Sequence, residues 1–281
     1  MDARDKPRSR DRVAKLVLHV VLGLGLLAMI GPFLWMLLSS FKSEQEIREV
    51  PPTWWPRDFG FGNFAELFDR LDFPTYFTNS VVVAASVTAG NLVLCSAAGY
   101  ALAKMRFPGR RSLLGLVLGT VMVPGMVTFV PLFVLVSKMG LTNTFAGLVL
   151  PFLVGAFGVF FMRQFILSIP DELIESARID GAGEVRIFVR IILPLCRPAL
   201  ATLGILTFLG SWNNFLWPLV VATTEDKYTL PVALALYSVG QNETDYGLLL
   251  AGSVVVVVPV LVVFILLQRH FVRGIATTGL K

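Results

Sequence analysis

Two histidines and two cysteines are all that this chain of 281 residues holds. His19 and His270 lie near opposite ends, and Cys95 and Cys196 form no CxxC. The clustered spacing that metal sites and disulfide frameworks need is therefore missing, and no metal site is expected. Cys95 is expected to pack as a small hydrophobe, and Cys196 to lie near a membrane surface. No GxxxxGK[ST] stretch occurs, so the chain has no Walker-type cradle for ATP phosphates; HExxH and GxSxG are also absent. Gly23 and Gly25 fall inside an apolar run and read as packing glycines, not as a dinucleotide loop. With no nucleophile–base pair in sight, a membrane enzyme is disfavoured.

Charge is the other scarcity. Only 15% of residues are Asp, Glu, Lys or Arg, against about a quarter in soluble domains. The composition is 55% hydrophobic with mean hydropathy +0.73. Six uninterrupted runs lack all four charged types: 16–41, 76–103, 112–137, 141–162, 198–224 and 248–268. Each is longer than the roughly 20 helical residues that cross a hydrocarbon core of about 30 Å. The expected fold is an all-α membrane protein with six transmembrane helices. The first run is too long for a signal-peptide core and lacks a small-x-small cleavage pattern, so it reads as a retained span.

Lysine and arginine are distributed unevenly between the loops. The N-terminal tail (1–15), the second loop, the fourth loop (163–198) and the C-terminal tail together carry eighteen, and the remaining loops six. The positive-inside rule then places both termini and the 163–198 loop in the cytoplasm. The net charge of +5 is an orientation signal and gives no reason to expect nucleic-acid binding. On the opposite side, Trp54 and Trp55 in PPTWWP suit the headgroup level, or a contact with an external partner.

Mid-span acids and bases, the usual mark of ion-coupled carriers, are missing. The polar content is neutral: Asn79, Ser86, Thr88, Asn91, Ser96 and Tyr100 in span two, and Trp212, Asn213 and Asn214 in span five, with Phe215 and Trp217 beside them. Such residues often only bond neighbouring helices. They equally suit the lining of a path for an uncharged, hydroxyl-rich solute, so Asn91, Trp212, Asn213, Asn214 and Phe215 are candidates for that path.

The fourth loop is the most charged insert between two apolar runs, and its core is ESARIDGAG (175–183). Pro170 suits a first helical turn, and Asp171 and Glu172 favour the positive end of its dipole. Leu173, Ile174 and Ala177 recur at helical spacing, and Gly181 and Gly183 punctuate the end. A second amphipathic piece carries Val185, Phe188 and Ile192 on one stripe, with Arg186 and Arg190 on another, before Pro194 and Pro198. This helix–Gly–helix loop is expected either to lie along the membrane surface or to dock a soluble protein.

One spacing carries a resemblance. Glu175-Ser176-Ala177, three residues, Gly181, nine residues, then Ile191-Ile192-Leu193-Pro194 resembles the E-A-A…G…I-x-L-P signature of permease subunits of bacterial ATP-binding-cassette importers. Ser176 stands where the signature has alanine. NTFAGLVLP (143–151), SWNNFLWPLVV (211–221), YTLPVAL (228–234) and HFVRGIATTGLK (270–281) are similar to the carbohydrate-uptake branch, in the manner of the smaller maltose-transporter permease. The resemblance implies a permease domain over 16–281 that is not itself an enzyme. It implies that Glu175, Ser176, Ala177, Asp180, Gly181, Ile191, Leu193 and Pro194 form the coupling site for a cytoplasmic ATPase. It further implies four partners besides lipid: a second homologous permease, two ATPase subunits holding ATP and Mg, and an extracytoplasmic solute-binding protein. A self-sufficient carrier or channel for a small neutral solute is the alternative.

Overall fold

The computed structural model describes the backbone of residues 9–238 and 244–278, and side chains over 15–238 and 244–266. The basic side chains before Lys15 and those of the tail from Arg269 onward, His270 included, lie outside the described residues. In chain order, α1 (Ser9–Ser39) and α2 (Phe73–Lys104) are long apolar helices. They are followed by α3 (Arg110–Met122) and α4 (Gly125–Lys138), then α5 (Phe145–Val149), which runs into a 3₁₀ turn at Leu150–Phe152, and α6 (Ala156–Leu167). The charged loop holds α7 (Glu172–Ile179) and α8 (Glu184–Ile187). After α9 (Arg197–Trp212) and α10 (Leu216–Val221) come α11 (Leu230–Ser238) and the closing α12 (Tyr246–Thr278). The architecture is all-α with six spans, as expected, but several of them are broken.

The third apolar run is not one straight helix. α3 and α4 meet at a bend of 104°, because Pro124 donates no amide hydrogen and holds Val123 in an extended conformation (φ −82°, ψ 119°). The fourth run bends by 43° between the 3₁₀ turn and α6, and α6 continues past Arg163 to Leu167, so the loop begins later than 163. The fifth run also divides. α9 stops at Trp212, and the Asn214 side chain accepts a hydrogen bond from the Trp217 amide at 3.3 Å, restarting the chain as α10.

Two compact units are present, residues 1–70 with 238–255 and residues 71–237 with 256–281. In the first, the Glu44 carboxylate accepts from the Gly247 amide (2.8 Å) and the Tyr246 amide (3.3 Å), and the Asp245 carboxylate accepts from Leu248 (2.9 Å). Both anions thus sit on the otherwise unsatisfied amides at the positive end of α12. Asn63 fixes the same corner by donating to the carbonyls of Ser40 (2.9 Å) and Lys42 (2.8 Å). Trp54 and Trp55 are largely exposed.

The second unit is built on α2, which packs chiefly on α6 and α9. Close approach needs glycine here. A Cβ on Gly99 would lie 2.9 Å from the Arg163 amide nitrogen and 2.9 Å from Met162 Cβ. A Cβ on Gly158 would meet Asn91 Oδ1 and Cys95 Sγ, each at 2.9 Å. Small residues let membrane helices gain dispersion contacts that lipid cannot match. Cys95 and Cys196 are both fully buried in this core, Cys95 packing as the small hydrophobe expected and Cys196 beside the charged loop. At the far end of α2, Asn79 donates to the carbonyls of Asp226 (3.0 Å) and Tyr228 (2.9 Å), and the Ser80 hydroxyl accepts from the Leu230 amide (2.8 Å), tying down α11.

Candidate functional sites

The charged loop is a helix–turn–helix with two chemically distinct faces. α7 ends at Gly181, whose φ of +78° is left-handed backbone. The Gly181 amide bonds the Arg178 carbonyl (3.0 Å) and the Ala182 amide bonds Ala177 (2.9 Å), so the last turn is closed by the chain that leaves it. Only glycine adopts this conformation without steric cost. After α8, the chain takes a π-helical turn at Phe188–Ile192 and then bends by 80° into α9.

The inner face is apolar. Ile174, Ala177, Ile187 and Ile192 pack with Leu102, Ala103, Met162, Ile166 and Cys196 in one buried cluster. Ala177 therefore faces inward, and its small size serves packing within the chain, not close approach of a partner. Leu173 and Val185, expected on the buried stripes, are instead exposed. A 100° step per residue places Leu173 beside Ile174 in sequence but well round the helix from it. The outer face presents Glu175, Ser176, Ile179, Asp180 and Gly181, with Ile179 at 86% exposure. Of the closing motif, Ile191 and Leu193 are half-buried and Pro194 is exposed.

Polar contacts lock this block to α2. The Tyr100 hydroxyl donates to Glu184 Oε2 at 2.6 Å, and Arg178 Nε donates to Glu184 Oε1 at 2.9 Å. The Lys104 ammonium bridges the Ile169 carbonyl (2.6 Å) and the Asp171 carboxylate (2.5 Å). Arg110 folds back to donate to the carbonyls of Leu102 (2.9 Å), Ala103 (2.9 Å) and Met105 (3.1 Å), capping the negative end of α2. Arg178 thus pairs with Glu184 and not with its i,i−3 neighbour Glu175. An open groove of about 670 Å³ runs between α7 and this end of α2, with Glu175 among its lining residues.

Tyr100 and Arg178 hold the Glu184 carboxyl below its ordinary range, and Lys104 does the same for Asp171. A carboxylate with a depressed folded pKa stabilises the structure above its unfolded pKa, and that contribution disappears as pH falls through the folded value. Acidification below the ordinary carboxylate range of about 4 is therefore expected to loosen the loop, raising hydrogen exchange at the Gly181 and Ala182 amides. Glu184→Gln should raise that exchange already at neutral pH and flatten the acid response. Sequence reasoning placed Tyr100 only among neutral span residues and Lys104 only in the charge balance. Their i,i+4 spacing at the charged end of span two was the available signal.

The solute-path candidates separate. Trp212 is buried, its indole N–H donates to the Val256 carbonyl at 3.0 Å, and its ring stacks on Phe208. It is a packing residue and is withdrawn from the path. Asn213 donates to the Leu209 carbonyl one turn back (3.0 Å) and Phe215 is half-buried; neither is among the residues bordering the cavity at Asn91. Asn91 and Asn214, by contrast, border one cavity of about 300 Å³, together with Thr207, Ser211, Phe152 and Trp217. Asn91 donates to the Phe152 carbonyl (3.3 Å), and the Trp217 indole N–H donates to the Gly147 carbonyl (3.1 Å), fixing the walls.

Six apolar spans interrupted by a charged helix–turn–helix place the chain among polytopic membrane proteins. Residues 96–277 match the family described as "binding-protein-dependent transport system inner membrane component", and the chain belongs to that family. The arabinooligosaccharide transport system permease protein AraQ of Halalkalibacterium halodurans is 40% identical, over 93% of this chain and 95% of that protein. The diacetylchitobiose uptake system permease protein NgcG of Streptomyces coelicolor is 38% identical, over 95% of this chain and 89% of that protein. A crystal structure of a bacterial ABC transporter involved in import of the acidic polysaccharide alginate matches with a TM-score of 0.84. It is 26% identical and covers 95% of this chain and 99% of that chain. This chain is accordingly a permease subunit of an ABC import system.

Proposed function

We propose that the chain is one of two similar permease subunits of an importer in a bacterial plasma membrane, taking up a carbohydrate or related polyhydroxylated solute. Both termini and the charged loop face the cytoplasm, where the basic loops lie. Two ATPase subunits dock there, carrying the ATP and Mg, and a solute-binding protein delivers solute from outside. The chain itself catalyses nothing. One observation carries this reading: among the described residues the outer face of α7 is exposed, while its inner face is buried in a cluster with α2 and the adjoining α8 is bonded to Tyr100 of α2.

That arrangement makes the loop a rigid lever. A load on Glu175, Ser176, Ile179 and Asp180 passes through Ile174, Ala177 and the Glu184–Tyr100 bond to α2, which packs on α6 and α9. Packed cores shift between discrete arrangements and do not deform continuously, so the load biases which face of the transporter is open. The carbohydrate class is supported by the neutral lining near Asn91 and Asn214 and by the names of the relatives.

Reconstitution in liposomes tests this. Uptake of labelled arabinooligosaccharide or diacetylchitobiose is expected only when the second permease, the ATPases and ATP are all present. ATP-independent uptake by the lone chain would establish the self-sufficient carrier instead.

A further inference from the structure

Several hydroxyl groups in the spans of this chain close onto their own helix. Thr88 bonds the Ala84 carbonyl (2.6 Å), Thr202 bonds Pro198 (3.0 Å), Ser253 bonds Leu249 (2.7 Å), and Ser96 bonds Leu92. This is how a polar group is satisfied inside lipid. Thr207 and Ser211 do not close in this way: among the described residues neither hydroxyl has a partner, as is also true of Ser39 and Ser86, and the Asn214 amide nitrogen donates to none. All three line the 300 Å³ cavity, Thr207 and Ser211 one turn apart on α9 and Asn214 just beyond its end. Gly210, between them, would meet nothing within 4 Å if it carried a Cβ. Phe152, Trp217 and Asn91 line the same cavity.

We propose that this cavity is a solute subsite belonging to this chain, which takes one neutral, polyhydroxylated ring. Donors and acceptors at Thr207, Ser211 and Asn214 meet hydroxyls, and the Phe152–Trp217 wall meets the apolar ring face. A volume of about 300 Å³ is at the lower end of small-molecule sites, which suits a single ring at a time. Among the described residues no charged side chain lines the cavity, so an ionised solute would lose hydration without a counter-charge. The subsite therefore selects neutral over acidic saccharides. The inference rests on the import reading above and adds the solute chemistry and the residues that read it.

Cysteine labelling of the assembled, reconstituted transporter decides the matter. Cys95 and Cys196 are fully buried, so background is low. Ser211→Cys and Leu206→Cys, the latter exposed but outside the cavity, are treated with hydroxyethyl methanethiosulfonate. Ser211→Cys is expected to react at least about tenfold faster, because the reactive thiolate forms only in a hydrated site. Its reaction should be slowed by a mixture of lactose, maltose and diacetylchitobiose, and left unchanged by sodium galacturonate. An unreactive Ser211→Cys in every nucleotide state would overturn the subsite, because the stripe would then be covered by lipid or by the second permease. Reaction that no neutral sugar slows, or that galacturonate slows equally, would overturn it too. Failure of import is read separately: wild-type transporter without ATP-dependent uptake of any sugar refutes the import reading whatever the labelling shows.

Discussion

Glu175→Lys is expected to lower ATP-dependent uptake by at least about tenfold while leaving membrane insertion and the thermal stability of the isolated chain unchanged. Glu175 is exposed, pairs with nothing among the described residues, and stands on the outer face of α7. Reversing a charge at a docked surface costs up to several kcal/mol, since the partner's groups are left facing a like charge. The fold has no stake in it, because the inner face of α7 is held by Ile174 and Ala177. Gly181→Val acts on the same coupling through geometry. At φ +78° a β-branched residue is strained by about 1–2 kcal/mol, so the turn opens and α7 tilts. Solute-stimulated ATP hydrolysis and uptake, measured side by side in liposomes, report the uncoupling in both variants. Normal uptake in both would remove the loop from the mechanism.

Gly99→Leu should act on the fold. The Cβ alone would sit 2.9 Å from the Arg163 backbone and Met162, where α2 and α6 cross and the loop core begins. Backbone cannot rotate away as a flexible side chain can, so the helices must separate. Overpacking of this kind costs about 1–3 kcal/mol, and here it also opens the cluster around Ile174 and Ile187. Thermal unfolding in detergent should show a clear fall in Tm, with Gly210→Leu, which faces open space, as the tolerated control. Equal stability of the two variants would contradict the packing account.

The span count was legible because lipid imposes a composition that nothing else needs, and the helix–Gly–helix loop because glycine spacing and apolar period survive without context. Breaks within spans were less legible. Pro124 in VMVPGM and the Asn213-Asn214 pair are visible breakers, yet an apolar run conceals how far the chain turns at each. Partners distant in sequence left no trace: Tyr100 and Glu184 lie 84 residues apart, and only the fold brings them together. The same holds for Trp212, which looks like a sugar platform beside two amides until Val256 is seen to take its N–H. Ala177 shows the limit of motif reading, since a matched position can serve the inside of the chain as readily as its surface.

The central claim is that the outer face of α7 meets an ATPase subunit. A photo-crosslinking amino acid at Ile179, the most exposed apolar position of that helix at 86%, tests it in the assembled transporter. The account predicts a crosslink to the ATPase subunit whose yield changes between ATP-bound and nucleotide-free states. Crosslinks to lipid alone, unchanged by ATP, would show the loop lying on the membrane and would contradict it.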